Sequence, residues 1–216
     1  MYLPFQAIGI ILWMVSKLSS VMRPETEVEG IVDAIGGRWS SRAIDASAPI
    51  TSGVLGRLFE AARWAPSSFN NQPWRFLAFG QENADALEMA RKTLVPRNAW
   101  ALAAPRLIFV LSRIDISGTK RANALAMYET GMAVIQMALQ ATQEGLVFHQ
   151  MIGFDSKQFR ENFGVSENFA ILTAVAVGWP GNPELIPEDL RLMETKTRTR
   201  KAIAELVFFD GAVPSK

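Results

Sequence analysis

The run Phe169-Ala170-Ile171-Leu172-Thr173-Ala174-Val175-Ala176-Val177-Gly178 carries a single polar side chain, Thr173. A strand so apolar is buried on both faces. Ala104-Pro105-Arg106-Leu107-Ile108-Phe109-Val110-Leu111 reads as a second buried strand, and Arg75-Phe76-Leu77-Ala78-Phe79, between Pro73 and Gly80, as a third. Three stretches read as helices. Ile50 to Ala62 places Val54, Leu55, Leu58, Phe59 and Ala62 at helical spacing, opened by Thr51 or Ser52 and ended by Pro66. Gln81 to Lys92 follows, with Leu87, Met89 and Ala90 as its apolar positions and Pro96 beyond it. From Ala126 to Thr142 a longer helix sets Tyr128, Met132, Ile135, Leu139 and Thr142 on one face, widened by Val134, Met137 and Ala138 and stopped by Gly145. So wide an apolar surface predicts burial on more than one side.

With 216 residues, 49% of them hydrophobic, the chain suits one domain with a sizeable core and short arms. Its 22 basic and 21 acidic side chains leave a net charge of +1, which gives no electrostatic case for nucleic acid as the partner. There is no cysteine, hence no disulfide framework, thiolate metal site or thiol nucleophile. His149 is the only histidine, so a histidine-rich metal site is excluded. A Ser-His-Asp triad would have to use it.

Residues 1–28 form an apolar extension ahead of the domain, which spans 29–216. Its core, Ile8-Gly9-Ile10-Ile11-Leu12-Trp13-Met14-Val15, is shorter than the roughly 20 residues that span a bilayer. No positive flank precedes it and no small-residue cleavage site follows, so it makes a poor secretory signal and a cytoplasmic location is expected. Three readings stay open for it: a helical arm on an oligomer surface, a membrane-surface segment, or a translated extension upstream of a start at Met22.

Four polar stretches carry the chemistry. Ala65-Pro66-Ser67-Ser68-Phe69-Asn70-Asn71-Gln72-Pro73-Trp74 joins helix to strand, its small donors and acceptors framed by two prolines. Taken alone it is a surface connection whose serines and asparagines satisfy turns. Arg38-Trp39-Ser40-Ser41-Arg42 follows the short helix Ile31 to Ile35, which Gly36-Gly37 would cap. Its two arginines, with hydroxyls between them, either converge on one anion or form a solvated basic turn. Gly145 to Asp155 contains Ile152-Gly153, where a glycine permits close backbone approach, and Asp155 with Gln158 opens a capped helix from Ser156 to Phe163. Past the Gly178-Trp179-Pro180-Gly181 turn and a loop from Pro183 to Pro187, Lys196, Arg198, Arg200 and Lys201 make a basic cluster. Such a cluster is more often a solvated surface than a site.

Ala-Pro-Ser-Ser-x-Asn-x-Gln-Pro-Trp resembles the signature of the FMN-dependent nitroreductase family, and the other stretches match that family in the same order from about Glu29 to the C-terminus. The resemblance implies an α+β, three-layer α-β-α fold with a mostly antiparallel central sheet, built as an intertwined homodimer with FMN at the interface. The loop then lies against a flavin held mainly by the partner subunit, which gives Pro66, Ser67, Ser68, Asn70 and Gln72 cofactor-binding roles. Arg38, Trp39 and Ser40 belong to the segment that holds the phosphate or ribityl chain, and Arg42 approaches the pyrimidine edge, where a cation steadies developing negative charge. Asn98 matches an asparagine that the family places before its second strand, whereas no lysine stands at the companion position. The backbone N–H groups of Ile152 and Gly153 face flavin N5 and O4, and Arg198 and Arg200 close on the phosphate. Glu205 to Asp210 corresponds to an apolar arm that embraces the partner, and Ser112 to Ala126 to a short lid.

The implied activity is hydride transfer from NAD(P)H through FMN to a nitroaromatic, quinone or similar acceptor, in two half-reactions at one site. The cofactor carries that chemistry, and no side chain is identified as an obligatory acid or base. Two other readings share the fold: a flavin-storage protein without turnover, and a specialised reductase of the dehalogenase kind. His149 either faces substrate or serves as a structural hydrogen bonder.

Overall fold

The computed structural model describes residues 30–116, 119, 121–209 and 211. The expectations for residues 1–28, and for Gly118, Lys120 and Asp210, lie outside the described residues.

The sheet has four strands: β1 Trp74–Gly80, β2 Arg106–Arg113, β3 Val147–Met151 and β4 Phe169–Gly178, in the order β1-β2-β4-β3. All three pairings are antiparallel. β2 and β4, the two most apolar runs, hold the centre, and their register steps at Val110/Leu111.

Alternation along the strands feeds two cores. Ile108, Val110, Phe148, Val175 and Val177 point to one face, under Leu58 and Ala62 of helix α2 (Ser52–Arg63) and Ala133, Val134, Met137, Ala138 and Ala141 of helix α4 (Ala126–Gln143). Leu107, Phe109, Leu111, Ala174 and Ala176 point to the other, under Leu87 and Ala90 of helix α3 (Ala84–Arg91) and Phe159 of helix α5 (Ser156–Phe163). Phe109 and Phe159 stack at 3.8 Å between ring centroids. Both are fully buried, so each contributes about 1.5–3 kcal/mol by leaving water. Removing the Phe159 ring would cost about 3–5 kcal/mol. The double core accounts for the near-continuous apolar runs and makes the fold a three-layer α+β sandwich.

The start signals expected at Thr51 and Asp155 hold, and Asn83 supplies one for α3. Thr51 Oγ1 accepts the Val54 N–H at 3.3 Å, Asn83 Oδ1 the Ala86 N–H at 3.1 Å and Asp155 Oδ1 the Gln158 N–H at 2.9 Å, each capping its helix. Gly164, at φ 61°, ends α5.

Several expectations need correction. β1 is an edge strand, with no strand pairing with its outer side among the described residues, and Arg75 and Ala78 are exposed. The first helix, α1, runs Asp33–Gly37 and takes both glycines into its turn; Arg38, in extended conformation, ends it rather than a glycine cap. Val147–Met151 is a strand in the stretch read as a turn before a capped helix, and Glu188–Glu194 forms a helix, α6, in a stretch to which the sequence assigned no element. Residues 81–92 divide into a 3-10 turn, Gln81–Asn83, and α3. The deeper face of α4 is Ala126, Glu129, Thr130, Ala133, Val134, Met137, Ala138 and Ala141, while Tyr128 and Ile135 of the expected core face are exposed. Small residues let α4 lie close on the sheet, which turns the bulkier stripe outward. The C-terminal arm begins with a 3-10 turn, Ile203–Glu205, and exposes Ile203, Leu206 and Phe209. Among the described residues no helix is long and apolar enough to cross a membrane.

Candidate functional site

The helix-to-strand loop is held in a costly shape. Phe69, Asn70 and Gln72 have φ of 51°, 56° and 45°, a region that non-glycine residues enter at a cost of about 1 kcal/mol or more each. Its own polar groups oppose that cost. The N–H groups of Asn70 and Asn71 donate to the carbonyls of Ser67 and Ser68 at 3.0 and 3.1 Å, the Gln72 N–H donates to Ser67 Oγ at 2.9 Å, and Gln72 Nε2 donates to Asn70 Oδ1 at 2.9 Å. Phe69 is 98% exposed at the tip, so its burial contributes nothing to the shape. Ser68 N–H leaves the loop and donates to Glu129 Oε1 at 2.6 Å.

A second cluster forms where residues 36–42 meet residues 194–200. Arg198 Nη1 donates to the carbonyls of Gly36 at 2.8 Å and Arg38 at 3.1 Å, which locks the C-terminal segment to the start of the arginine segment. Arg38 is partly buried and its Nη1 donates to Ser40 Oγ at 3.3 Å. Burial first, and then the charge of Arg200, hold its guanidinium below the usual arginine range. Among the described residues no ion pair involves Arg38 or Arg200, so two cations share a region with no carboxylate paired to either.

Beside them lies Glu194 of α6, 4% exposed. Its Oε2 accepts the Trp39 indole N–H at 3.2 Å and its Oε1 the Arg42 backbone N–H at 2.8 Å, with Arg42 Nη1 3.8 Å away. Trp39 therefore orders the segment through its N–H. His149 on β3 is buried against Trp100, with ring centroids 4.4 Å apart, and its Nδ1 lies 3.0 Å from the Ser41 carbonyl. Burial pushes its pKa down to about 4, aided by Arg42 and opposed by the Ser41 carbonyl and Glu194. A buried neutral imidazole bonded to main chain supports the arginine segment from beneath.

The third cluster follows β3. Asn98 Nδ2 donates to the Gly153 carbonyl at 2.9 Å, and the Val95 N–H donates to the same oxygen at 3.1 Å. A Cβ at Gly153 would come within 2.5 Å of Asn98 Nδ2 and 2.9 Å of Val95 Cγ2, so the close approach that the glycine permits is to this chain's own Asn98 and Val95. Ile152 is exposed at the tip of the turn. Hydrogen bonds thus unite Arg38, Trp39, Ser40, Arg42 and Arg198 in one region, where the charge of Arg200 is felt at Arg38, and Asn98 with Gly153 in another. Pro66, Ser67, Ser68, Asn70 and Gln72 stand apart: among the described residues no hydrogen bond or ion pair ties that loop to either region.

The nitroreductase family model matches residues 35–179, which takes in the arginine segment, the strained loop and the Asn98–Gly153 pair. The chain belongs to the nitroreductase family. A solved structure described as an oxidoreductase containing FMN is 31% identical, with a TM-score of 0.81, and the alignment covers 91% of this chain and 98% of that one. A nitroreductase of Desulfovibrio desulfuricans, solved in complex with FMN, shares the fold at a TM-score of 0.66 and 21% identity over 87% of this chain and 99% of that one. A Bacillus subtilis protein named as an NAD(P)H nitroreductase is 24% identical over 196 residues, 77% of this chain and 97% of its own. The family match stops at residue 179, short of Glu194, Arg198 and Arg200.

Two residues escaped the sequence reading. Glu129 is the one charged side chain in α4, and an isolated acid in so apolar a helix is a usable signal. Glu194 closes a charged helix and nothing in its neighbourhood distinguishes it.

Proposed function

We propose that this nitroreductase-family chain is an NAD(P)H-dependent FMN oxidoreductase that passes hydride to a nitroaromatic, quinone or similar acceptor by a ping-pong mechanism. One observation carries the reading: Arg198 is bonded to the carbonyl of partly buried Arg38, the charge of Arg200 acts on Arg38, and no carboxylate pairs with Arg38 or Arg200 among the described residues. Two cations held together against their mutual repulsion fit a bound dianion, and the FMN phosphate is the anion that family membership supplies.

The residues present fit the cofactor. Arg38, Ser40, Arg198 and Arg200 would hold the phosphate end, Trp39 would order that segment, and Arg42 would offer a cation to the pyrimidine edge. Asn98, Ile152 and Gly153 would form the side next to N5 and O4. Bound there, FMN would supply the hydride relay between nucleotide and acceptor. The protein's own part is to neutralise charge, fix the ring and keep it accessible, and no side chain is needed as acid or base.

Pro66, Ser67, Ser68, Asn70 and Gln72 would meet the flavin of a second copy, which makes the homodimer part of this reading. The outward stripe of α4, with Tyr128 69% exposed, and the apolar arm around Phe209 support such an interface. A cytoplasmic location belongs to the same reading. Anaerobic titration with NADPH and then NADH tests it: bleaching of a flavin band, reversed by a quinone or nitroaromatic, is expected. A yellow protein that neither nucleotide reduces would point to storage instead.

A further inference from the structure

We propose that Glu129 is the positioning residue that sets the strained loop against the cofactor. The proposal rests on the FMN reading above and extends it to a residue outside every cofactor-contacting segment. Among the described residues, every hydrogen bond of the backbone of residues 67–71 closes within the loop except one, the Ser68 N–H to Glu129 Oε1 bond at 2.6 Å. The internal bonds give the loop its shape. The Glu129 bond fixes where that shape sits, because the exposed Phe69 offers no apolar anchor at the tip.

The cost of Glu129 points the same way. The residue is 2% exposed among apolar neighbours of α4, and its Oε2 has no hydrogen-bond partner among the described residues. A buried carboxylate oxygen without a donor is unfavourable, and a methionine or leucine would fill the space without that penalty. What an apolar residue cannot do is accept the Ser68 N–H. That acceptor also compensates a donor at the residue just before three left-handed or strained positions, where a small displacement would swing Asn70 and Gln72 together. Glu129 acts through Ser68 and touches no reacting atom.

The test compares Glu129→Gln, Glu129→Asp and Glu129→Ala in full-length protein, reading FMN dissociation by flavin fluorescence, the melting temperature of the flavin-free form, and chymotrypsin cleavage after Phe69. The glutamine keeps an acceptor at Oε1, so its FMN dissociation constant is expected to stay within about threefold of wild type. Aspartate is a methylene too short and alanine has no acceptor. Both are expected to weaken FMN at least tenfold and to speed cleavage at Phe69, out of proportion to any change in melting temperature. Should Glu129→Ala fail to fold, Glu129→Asp carries the same comparison. Wild-type FMN affinity in Glu129→Asp or Glu129→Ala overturns the proposal alone; wild-type protein that binds no FMN overturns the cofactor reading and this inference with it.

Discussion

Arg198 donates to the backbone carbonyl of Arg38 at 3.1 Å across 160 residues of sequence. The contact explains how a C-terminal segment beyond the family match takes part in a site built near the start of the domain. A guanidinium bridging two main-chain carbonyls makes charge-assisted bonds of about 1.5–3 kcal/mol. Arg198→Ala is expected to lower stability by about 2 kcal/mol in a denaturant titration and to weaken FMN at least tenfold, with Arg198→Lys between it and wild type.

Arg200 and Lys201 are neighbours with different prospects. Both are exposed and neither is in an ion pair among the described residues, but only Arg200 acts on Arg38 electrostatically. Arg200→Ala is expected to raise the FMN dissociation constant at least tenfold and Lys201→Ala less than twofold. Equal losses in a flavin titration would refute the placing of the phosphate beside Arg38 and Arg200.

Glu194 satisfies two donors at once, the Trp39 indole and the Arg42 backbone. Glu194→Ala strands both in a buried setting and is expected to cost about 3 kcal/mol, read as a fall in melting temperature. Glu194→Gln retains one acceptor and should lose less than half of that.

The burial of the central strands on both faces was legible because β2 runs apolar from Leu107 to Leu111 and β4 from Ala174 to Val177, a pattern that a covered strand tolerates. β3 was not. Val147-Phe148-His149-Gln150-Met151 is short, and its one exposed residue, Gln150, and its histidine blur the pattern until pairing with β4 fixes it. On α4 the residues against the sheet, alanines and Thr130, are smaller than the outward stripe with Tyr128, so bulk alone does not tell which side of so apolar a helix meets the sheet. For the site, the loop, the arginines and the Asn98–Gly153 region could be read as separate stretches. Their supports could not. Glu129 and Glu194 act through main-chain and indole N–H groups distant in sequence, and no local pattern encodes such pairings.

His149 predicts a distinct pH dependence. Its pKa is about 4 in the folded chain against 6.5 unfolded, so between these values the unfolded state binds more protons. Stability therefore falls as pH drops from about 6.5 toward 4, by roughly 3 kcal/mol in all, and levels off below that for this group. Because it is the only histidine, chemical denaturation between pH 6.5 and 5 reads it with little interference from carboxylates. His149→Gln should flatten that slope, and an unchanged slope would show that the imidazole is not buried as described.

Gly153 has no room for a side chain. Gly153→Ala is expected to cost about 1–3 kcal/mol by overpacking against Asn98 and Val95. Combined with Asn98→Ala, which vacates part of that space, the loss should be less than the sum of the two single changes in matched denaturant melts.

The most direct test of the account is the visible spectrum of the purified protein, before and after anaerobic NADPH and then NADH. The account predicts a yellow protein whose flavin band bleaches with a nicotinamide nucleotide and returns when a quinone or nitroaromatic is added. A colourless protein that takes up no added FMN would contradict it.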